Sequence, residues 1–344
     1  MREGFSIRFL IVALPAGLLL SGILAVLNTH FDQDKEVVDP NERVRLEAAA
    51  LNRQPVSTAD LANSLEILTG RIGERHLLVP EKLESAAVWI ESTLGPGNIG
   101  YVVERQVFEA NNVQVRNLIA ELPGKDRRDE IVVVAAHYDT VPGSPGANSS
   151  GSGMAALISL ARAFAGDSQS RTIRFVALVN EESPEREGGG AGGREYVAAC
   201  RAKGDRIVAM INLRSLGFYT DASDTQKTPA GVEGESFGPV GNFIAFIGEN
   251  DDRFMIDSAK TAFAAASAVP VVGRIFARGT AEEIQSVSEA FREAGVHALV
   301  ATDTASFRYP HHHQATDTLE KIDLKKLESV TVGLKVVLDL RANP

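Results

Sequence analysis

The sequence predicts an α/β fold, in which a mostly parallel central sheet carries helices on both faces and a transmembrane helix precedes the domain. Helical and strand patterns alternate after about residue 57, as in proteins that build such a sheet. Residues 130–140, EIVVVAAHYDT, contain the continuous apolar run IVVVAA, which is typical of a strand buried on both faces. Residues 9–27 carry no charged side chain. These three observations define the architecture.

The uncharged segment of residues 9–27 is long enough to cross a membrane. At about 1.5 Å of helical rise per residue, it spans close to the ~30 Å hydrocarbon core of a bilayer. Two arginines precede it, and Asp32, Asp34 and Glu36 follow it. The positive-inside rule therefore places the N-terminus in the cytoplasm and the domain on the extracytoplasmic side.

We therefore divide the chain into a membrane anchor in residues 1–30, a stalk in residues 31–56 and one folded domain in residues 57–344. Cleavage of the first segment as a signal peptide is the alternative, and it would leave a secreted or periplasmic domain.

Composition excludes several classes of protein. The chain has 344 residues, of which 44% are hydrophobic, so it is long enough for one large core. Its net charge of -10, without a basic stripe, argues against nucleic-acid binding, which needs clustered Lys and Arg. Its one cysteine, Cys200, excludes an internal disulfide and a cysteine-based zinc site, and we expect it at a buried helix position.

The elements of the domain follow from periodicity and end signals. YVVERQVFE and VQVRNLIAEL alternate like a pair of antiparallel edge strands. Further apolar strands are TIRFVALVN, RIVAMINL, NFIAFIG and HALVATD. The predicted helices are residues 57–68, 80–94, 153–165, 193–203, 253–266 and 324–340.

Polar side chains follow four of these strands. His137 and Asp139 come at the end of the central strand, Glu181 and Glu182 follow TIRFVALVN, and Arg214 follows RIVAMINL. The segment YPHHHQATDT follows the last strand. Because ligands of open α/β sheets bind beyond the carboxyl ends of the strands, we expect these groups to converge on one site.

Five motifs carry a resemblance to a known family: AAHYDT, PGANSSGSGMAALISLARAF, RFVALVNEE, INLRSLGFY and HHHQATDTLEKID. From about Val113 onward the chain resembles the co-catalytic two-zinc aminopeptidases typified by bacterial leucyl aminopeptidase and aminopeptidase Y, which are related to glutaminyl cyclases. The resemblance implies a three-layer sandwich, zinc as cofactor, and a peptide or protein N-terminus as ligand.

The resemblance also assigns roles to matching residues. His137 would bind the first metal and Asp139 would orient that histidine. Glu181 would be the general base, whereas Glu182 and His313 would bind the second metal.

Two metal-ligand positions of the family are substituted. The bridging acid falls on Ser149, and the carboxylate ligand of the first metal falls on Arg214. A guanidinium stays protonated, and its repulsion with a zinc ion about 4 Å away is of order 8 kcal/mol at an effective dielectric near 20. We therefore expect that the two-zinc centre is lost and that Arg214 pairs with Glu182 or Glu181 instead.

Three functions stay open at this point. The first is a family member that has lost the two-metal site, is weak or inactive as a peptidase and acts through binding or scaffolding. The second is a hydrolase with one zinc ion on His137, Glu182 and His313, with Glu181 as the base. The third, and most remote, is a metal-free serine hydrolase that uses Ser149 and His137, with Asp139 as orienter. The sequence does not indicate the substrate-binding residues or the oligomeric state.

Overall fold

The structure, a computed structural model, describes residues 53–182, 190–229, 237–278 and 282–344, without the side chains of residues 282–286. The predicted anchor and all but the last few residues of the predicted stalk lie outside the described residues. Among the helices described, none combines the length and the apolar character needed to cross a bilayer.

Eight strands form one sheet in the described part of the chain, in the order β1-β2-β4-β3-β5-β8-β6-β7. The strands are β1 (Val103–Ala110), β2 (Val113–Leu122), β3 (Arg127–His137), β4 (Arg171–Leu178), β5 (Arg206–Leu213), β6 (Ile244–Gly248), β7 (Val271–Ile275) and β8 (Ala298–Thr302). The strand predicted at the centre of the sheet is β3, and it lies between β4 and β5.

The sheet is parallel at its centre and mixed at its flanks. Strand β3 runs parallel to β4 and β5, β5 to β8, and β6 to β7. The pairs β1–β2, β2–β4 and β6–β8 are antiparallel. Asn111 and Asn112 join β1 to β2 with φ of 48° and 61°, which matches the two-residue turn that links antiparallel strands. Four of the seven described strand pairs are therefore parallel, so the prediction of a mostly parallel sheet holds, with the antiparallel pairs outside the centre.

Seven α-helices are described: α1 (Thr58–Leu65), α2 (Pro80–Leu94), α3 (Ser152–Phe164), α4 (Gly192–Lys203), α5 (Arg253–Ala264), α6 (Glu282–Glu293) and α7 (Leu324–Ala342). One face of the sheet packs on α1, α2, α3, α5 and α7, which share one large core. The other face packs on α4 and α6. This places helices on both faces, as predicted, and Cys200 of α4 is buried at 4% exposure.

The sequence did not predict two of these elements, β7 and α6, and one predicted helix continues as a different type of helix. Strand β7 is only half-buried and contains Gly273 and Arg274, so it lacks an apolar run. Helix α6 begins with the polar sequence EEIQS, which gives no strong periodic signal. The helix predicted over residues 57–68 begins at Thr58, where Ser57 caps it, and continues as a π-helical turn over Glu66–Ile72.

Candidate active site

The polar groups predicted to converge do meet beyond the carboxyl ends of β3, β4 and β5. His137, Glu182 and Arg214 are almost fully buried, with exposures of 1%, 2% and 2%. His313 arrives from the loop before α7 and keeps about a quarter of its side chain exposed, at 26%. The parallel centre of the sheet produces this convergence because it aligns the ends of neighbouring strands.

Glu182 lies at the centre of the cluster. Its Oε1 is 3.6 Å from Nε2 of His137, and its Oε2 is 3.3 Å from Nε2 of His313 and 3.6 Å from Nη2 of Arg214. Burial alone would raise the pKa of the Glu182 carboxyl, but the Arg214 guanidinium and the His313 hydrogen bond hold that pKa well below its usual range. Glu182 is therefore ionised at neutral pH, and the positive charge of the Arg214 guanidinium offsets its negative charge.

Asp139 holds the turn that presents the two glutamates. Its Oδ2 accepts the backbone N–H groups of Glu181 at 2.9 Å and Glu182 at 3.0 Å. Its Oδ1 lies 3.5 Å from Nδ1 of His137. Asp139 thus fixes the turn of the Glu-Glu pair and lies beside His137, the residue that the resemblance implies it orients.

One oxygen of Glu181, the predicted general base, is engaged by the protein. The backbone N–H of Gly193, in the first turn of α4, donates to Oε1 of Glu181. A Cβ at position 193 would lie 3.1 Å from that oxygen, so this close approach favours glycine. The N-terminus of α4 also offers partial positive charge to the carboxylate.

Backbone strain accompanies the site. Asn180, Ser215 and His313 have φ of 59°, 49° and 58°, in the left-handed region that few non-glycine residues adopt. Each lies at the site or directly beside one of its residues. Strained positions of this kind cluster at functional sites, where the surrounding contacts hold them.

The two substituted positions take different roles. Arg214 faces Glu182, which confirms one of the two pairings expected for it. Ser149 lies in the turn Ala147–Gly151 before α3, and its carbonyl accepts the Ser215 hydroxyl at 3.4 Å. Among the described residues, neither ring nitrogen of His137 has a hydrogen-bond partner, so the Ser149–His137 bond that a serine hydrolase needs is not formed.

Several residues that support the site were missed by the sequence analysis. Asp317 is fully buried and accepts the N–H groups of Asn148 and Ser149 and the hydroxyl of Tyr309, so it fixes the turn before α3. Its only sequence signal was its place in the motif HQATDT. Asp303, directly after β8, accepts from the side-chain amide of Asn148 at 2.8 Å.

Arg75 is a second support that carries no local sequence signal. It has 0% exposure and donates to carbonyl oxygens and one hydroxyl rather than to a carboxylate. Its acceptors are the carbonyls of Leu68, Gly73, Tyr138 and Pro145 and the hydroxyl of Ser150. Arg75 therefore ties the end of β3 to the turn before α3.

The residues present do not fit a two-zinc centre. The two substituted positions remove two of the carboxylates that would offset the charge of the ions, and Arg214 places a fixed cation against Glu182. Within the described residues, no set of three or more His, Cys, Asp or Glu side chains is arranged to hold a metal ion. His137 and His313 do face one carboxylate from two sides, but that carboxylate is already paired with the guanidinium.

A large cavity elsewhere contains none of these groups. It has a volume of about 630 Å³ and lies between the end of α2 and the start of β1, where Val88, Glu91 and Arg105 line it. Nε of Arg105 donates to both carboxylate oxygens of Glu91, at 2.8 and 2.9 Å. We therefore place the candidate site at the strand ends, where the ionisable side chains meet, and not at this cavity.

The fold and the site together define an α/β protein with acidic and imidazole groups at the carboxyl edge of a partly parallel sheet. Residues 117–337 match the family model of peptidase family M28. The chain therefore belongs to peptidase family M28, which confirms the resemblance stated from its motifs.

Known relatives agree with this assignment. The chain is 23% identical over 291 residues to the uncharacterized protein YfbL of Escherichia coli, covering 75% of this chain and 87% of YfbL. Its fold is similar to that of the LapA aminopeptidase of Legionella pneumophila, with a TM-score of 0.66, 18% identity, and coverage of 89% of this chain and 76% of that chain. It is also similar to BSAP, a zinc aminopeptidase of Bacillus subtilis, with a TM-score of 0.52, 22% identity and coverage of 68% and 52%.

These comparisons establish the fold and the family, and the family implies zinc. The identities to the solved structures are too low to carry over residue roles. The site residues of this chain must therefore be judged from their own geometry.

Proposed function

We propose that this chain is a membrane-anchored member of family M28 whose two-metal site has degenerated and which is weak or inactive as a peptidase. It acts by binding a ligand that presents a free α-amine, such as the N-terminus of a peptide or protein. The observation that carries the proposal is the contact of the Arg214 guanidinium with Glu182, 3.6 Å apart in a buried site.

This contact opposes metal binding electrostatically. A zinc ion on Glu182 would have to displace the guanidinium or stand beside it, and Arg214 is only 2% exposed, so water screens the repulsion poorly. If Arg214 moved away from Glu182, its buried cation would lose its partner. Breaking a buried ion pair in this way costs about 3–5 kcal/mol. Both routes oppose metal binding.

A peptidase assay tests the proposal directly. The full-length chain is incubated with leucine p-nitroanilide with added zinc, without it, and after chelation. We expect that added zinc does not raise the rate of p-nitroaniline release and that the substitution Glu181→Gln does not lower it. Chelator-sensitive release that the Glu181→Gln variant loses would contradict the proposal.

A single-zinc aminopeptidase is the second candidate, and one observation favours it. The Nε2 atoms of His137 and His313 face the two oxygens of Glu182 at 3.6 and 3.3 Å, so two histidines already flank one carboxylate. Glu181 would then be the base. Under this candidate, Arg214→Met should strengthen zinc binding and raise the rate, whereas under the leading proposal the wild-type chain has no zinc-dependent rate to raise.

The membrane anchor is supported by the sequence of residues 9–27 and by the charges around it. Extraction of membranes at alkaline pH tests this part. We expect the chain to stay with the membrane and a chain that lacks residues 1–30 to be released. Release of the full-length chain would leave the cleaved, secreted form as the alternative.

A further inference from the structure

Strand β1 forms one edge of the sheet, and its outer side is open to another strand. In the described part of the chain β1 pairs with β2 alone. Its eight residues pair in one unbroken register, and the strand contains no proline or glycine. Folded proteins usually shorten, bend or cover such an edge, because its free N–H and C=O groups can bind a further strand. β1 is long and regular, so it is suited to accept a partner.

The turn between β1 and β2 determines which residues present their backbone groups at this edge. Ala110 and Val113 flank the two-residue loop, and the flanking residues of such a hairpin exchange both hydrogen bonds. Successive residues of a strand direct their N–H and C=O groups to opposite sides. Arg105, Val107 and Glu109 therefore direct theirs away from β2, and no backbone hydrogen bond from another described element reaches them.

The same three residues share one face of the sheet, where their side chains are exposed. Val107 is apolar and yet 51% exposed, and the side chain of Arg105 is 60% exposed. Nε and Nη2 of Arg105 contact Glu91, which leaves Nη1 for a second carboxylate. Glu109 is exposed, and no cation of the described residues pairs with it. The edge therefore presents a cation, an apolar side chain and an anion in a row.

This row is complementary to itself in one antiparallel register. When Val107 of one copy lies opposite Val107 of another, Arg105 of each copy lies opposite Glu109 of the other. Opposite charges directly across two strands stabilise their pairing. A shift by two residues loses both matches, because it places Val107 opposite Arg105 or opposite Glu109. A two-fold axis at Val107 therefore satisfies the whole row, and it repeats the charge pair on both sides of the axis.

The opposite edge of the sheet has no comparable feature. β7 has five residues, and Arg274 is its only charged one, so two copies of β7 would bring no opposite charges together. We propose that two copies of this chain pair through β1, antiparallel and about a two-fold axis at Val107, so that their sheets become one. Backbone hydrogen bonds hold the two copies together, and the Arg105–Glu109 pairs set the register.

Disulfide crosslinking of the full-length chain in mild detergent tests this pairing. The native Cys200 is buried, so the signal comes from an introduced cysteine. Opposite residues that exchange hydrogen bonds have Cα atoms about 5.5 Å apart, within the range of a disulfide. Under oxidation with copper phenanthroline, we expect Val107→Cys to form a linked dimer about tenfold or more faster than Val102→Cys.

Val102 is the matched control for this experiment. It is also a valine beside the same edge, and it is exposed to a similar extent, at 55%. In the proposed register, however, the two copies of residue 102 lie roughly 30 Å apart along the strand direction. A collision without pairing would link both variants equally.

Exchange of charges tests the register in the Val107→Cys background. Glu109→Arg puts two arginines in each pair and Arg105→Glu puts two glutamates there, so each variant alone should crosslink about tenfold more slowly. Mixing the two variants, tagged to differ in size, should restore the rate in the mixed dimer, because each pair again joins opposite charges. Restoration also shows that both variants are folded.

The other outcomes overturn the proposal. Equal rates at Val107 and Val102 would show that β1 does not pair with a second copy, and would leave the edge to another protein or to another segment of this chain. Fast crosslinking at Val107 without restoration in the mixture would show that the copies meet in a different register. Neither result depends on zinc or on peptidase activity, so this proposal and the proposed function are tested separately.

Discussion

The Arg214 guanidinium stands 3.6 Å from the Glu182 carboxylate, and both residues are 2% exposed. In the family that this chain resembles, a carboxylate occupies the position of Arg214 and binds a metal. Here a protein cation faces the acid that would bind zinc. The core of the site is therefore held by an internal ion pair with two histidines around it, and this arrangement decides how the site responds to mutation.

Removing one member of the pair should destabilise the protein strongly. Glu182→Gln leaves the Arg214 cation buried and uncompensated, so we expect a loss of about 3–5 kcal/mol in the free energy of unfolding. The double variant Glu182→Gln with Arg214→Met removes both charges and should lose much less. Urea unfolding of the two variants measures the difference in their free energies of unfolding. Equal losses would show that the contact between Arg214 and Glu182 does not stabilise the protein electrostatically.

Arg75 should be as important for folding as any apolar core residue. Burial lowers the pKa of its guanidinium to about 10, so it stays charged at neutral pH while its donors hold the carbonyls of Tyr138 and Pro145. Arg75→Met leaves those acceptors unsatisfied, and we expect a loss of about 3 kcal/mol or more by urea unfolding. The exposed Arg71 offers the control, and Arg71→Met should change stability by less than about 0.5 kcal/mol.

Cys200 should report global unfolding. Burial raises the pKa of its thiol to about 11, so at pH 8 only on the order of one thiol in a thousand is ionised in the native state. We expect labelling by iodoacetamide at pH 8 to follow unfolding, and to accelerate to the rate of a free thiol in urea. Fast labelling of the native protein would show that α4 opens locally.

The sequence predicted the centre of the fold and the membership of the site because both depend on local patterns. The apolar run of β3 and the polar residues after β3, β4 and β5 are contiguous in the sequence, and a parallel sheet brings such strand ends together. Strand β7 was missed because its residues are only half-buried and its sequence, VVGRI, has no continuous apolar run.

The supports of the site were missed for a related reason. Arg75 and Asp317 act through contacts with residues distant in sequence, such as Tyr138 and Ser149. Nothing in the local sequence of Arg75 distinguishes it from a surface charge, and Asp317 stands out only by its place in the motif HQATDT. The bond between Glu181 and Gly193 likewise depends on where α4 begins relative to β4. Such contacts become visible only once the elements are packed.

The zinc content of the purified full-length chain, measured per chain by elemental analysis after expression with added zinc, tests the central claim most directly. The comparison is with the double variant Ser149→Asp and Arg214→Asp, which restores an acid at each substituted position. We expect no zinc in the wild-type chain and two ions in the variant. One or more zinc ions in the wild-type chain would contradict it.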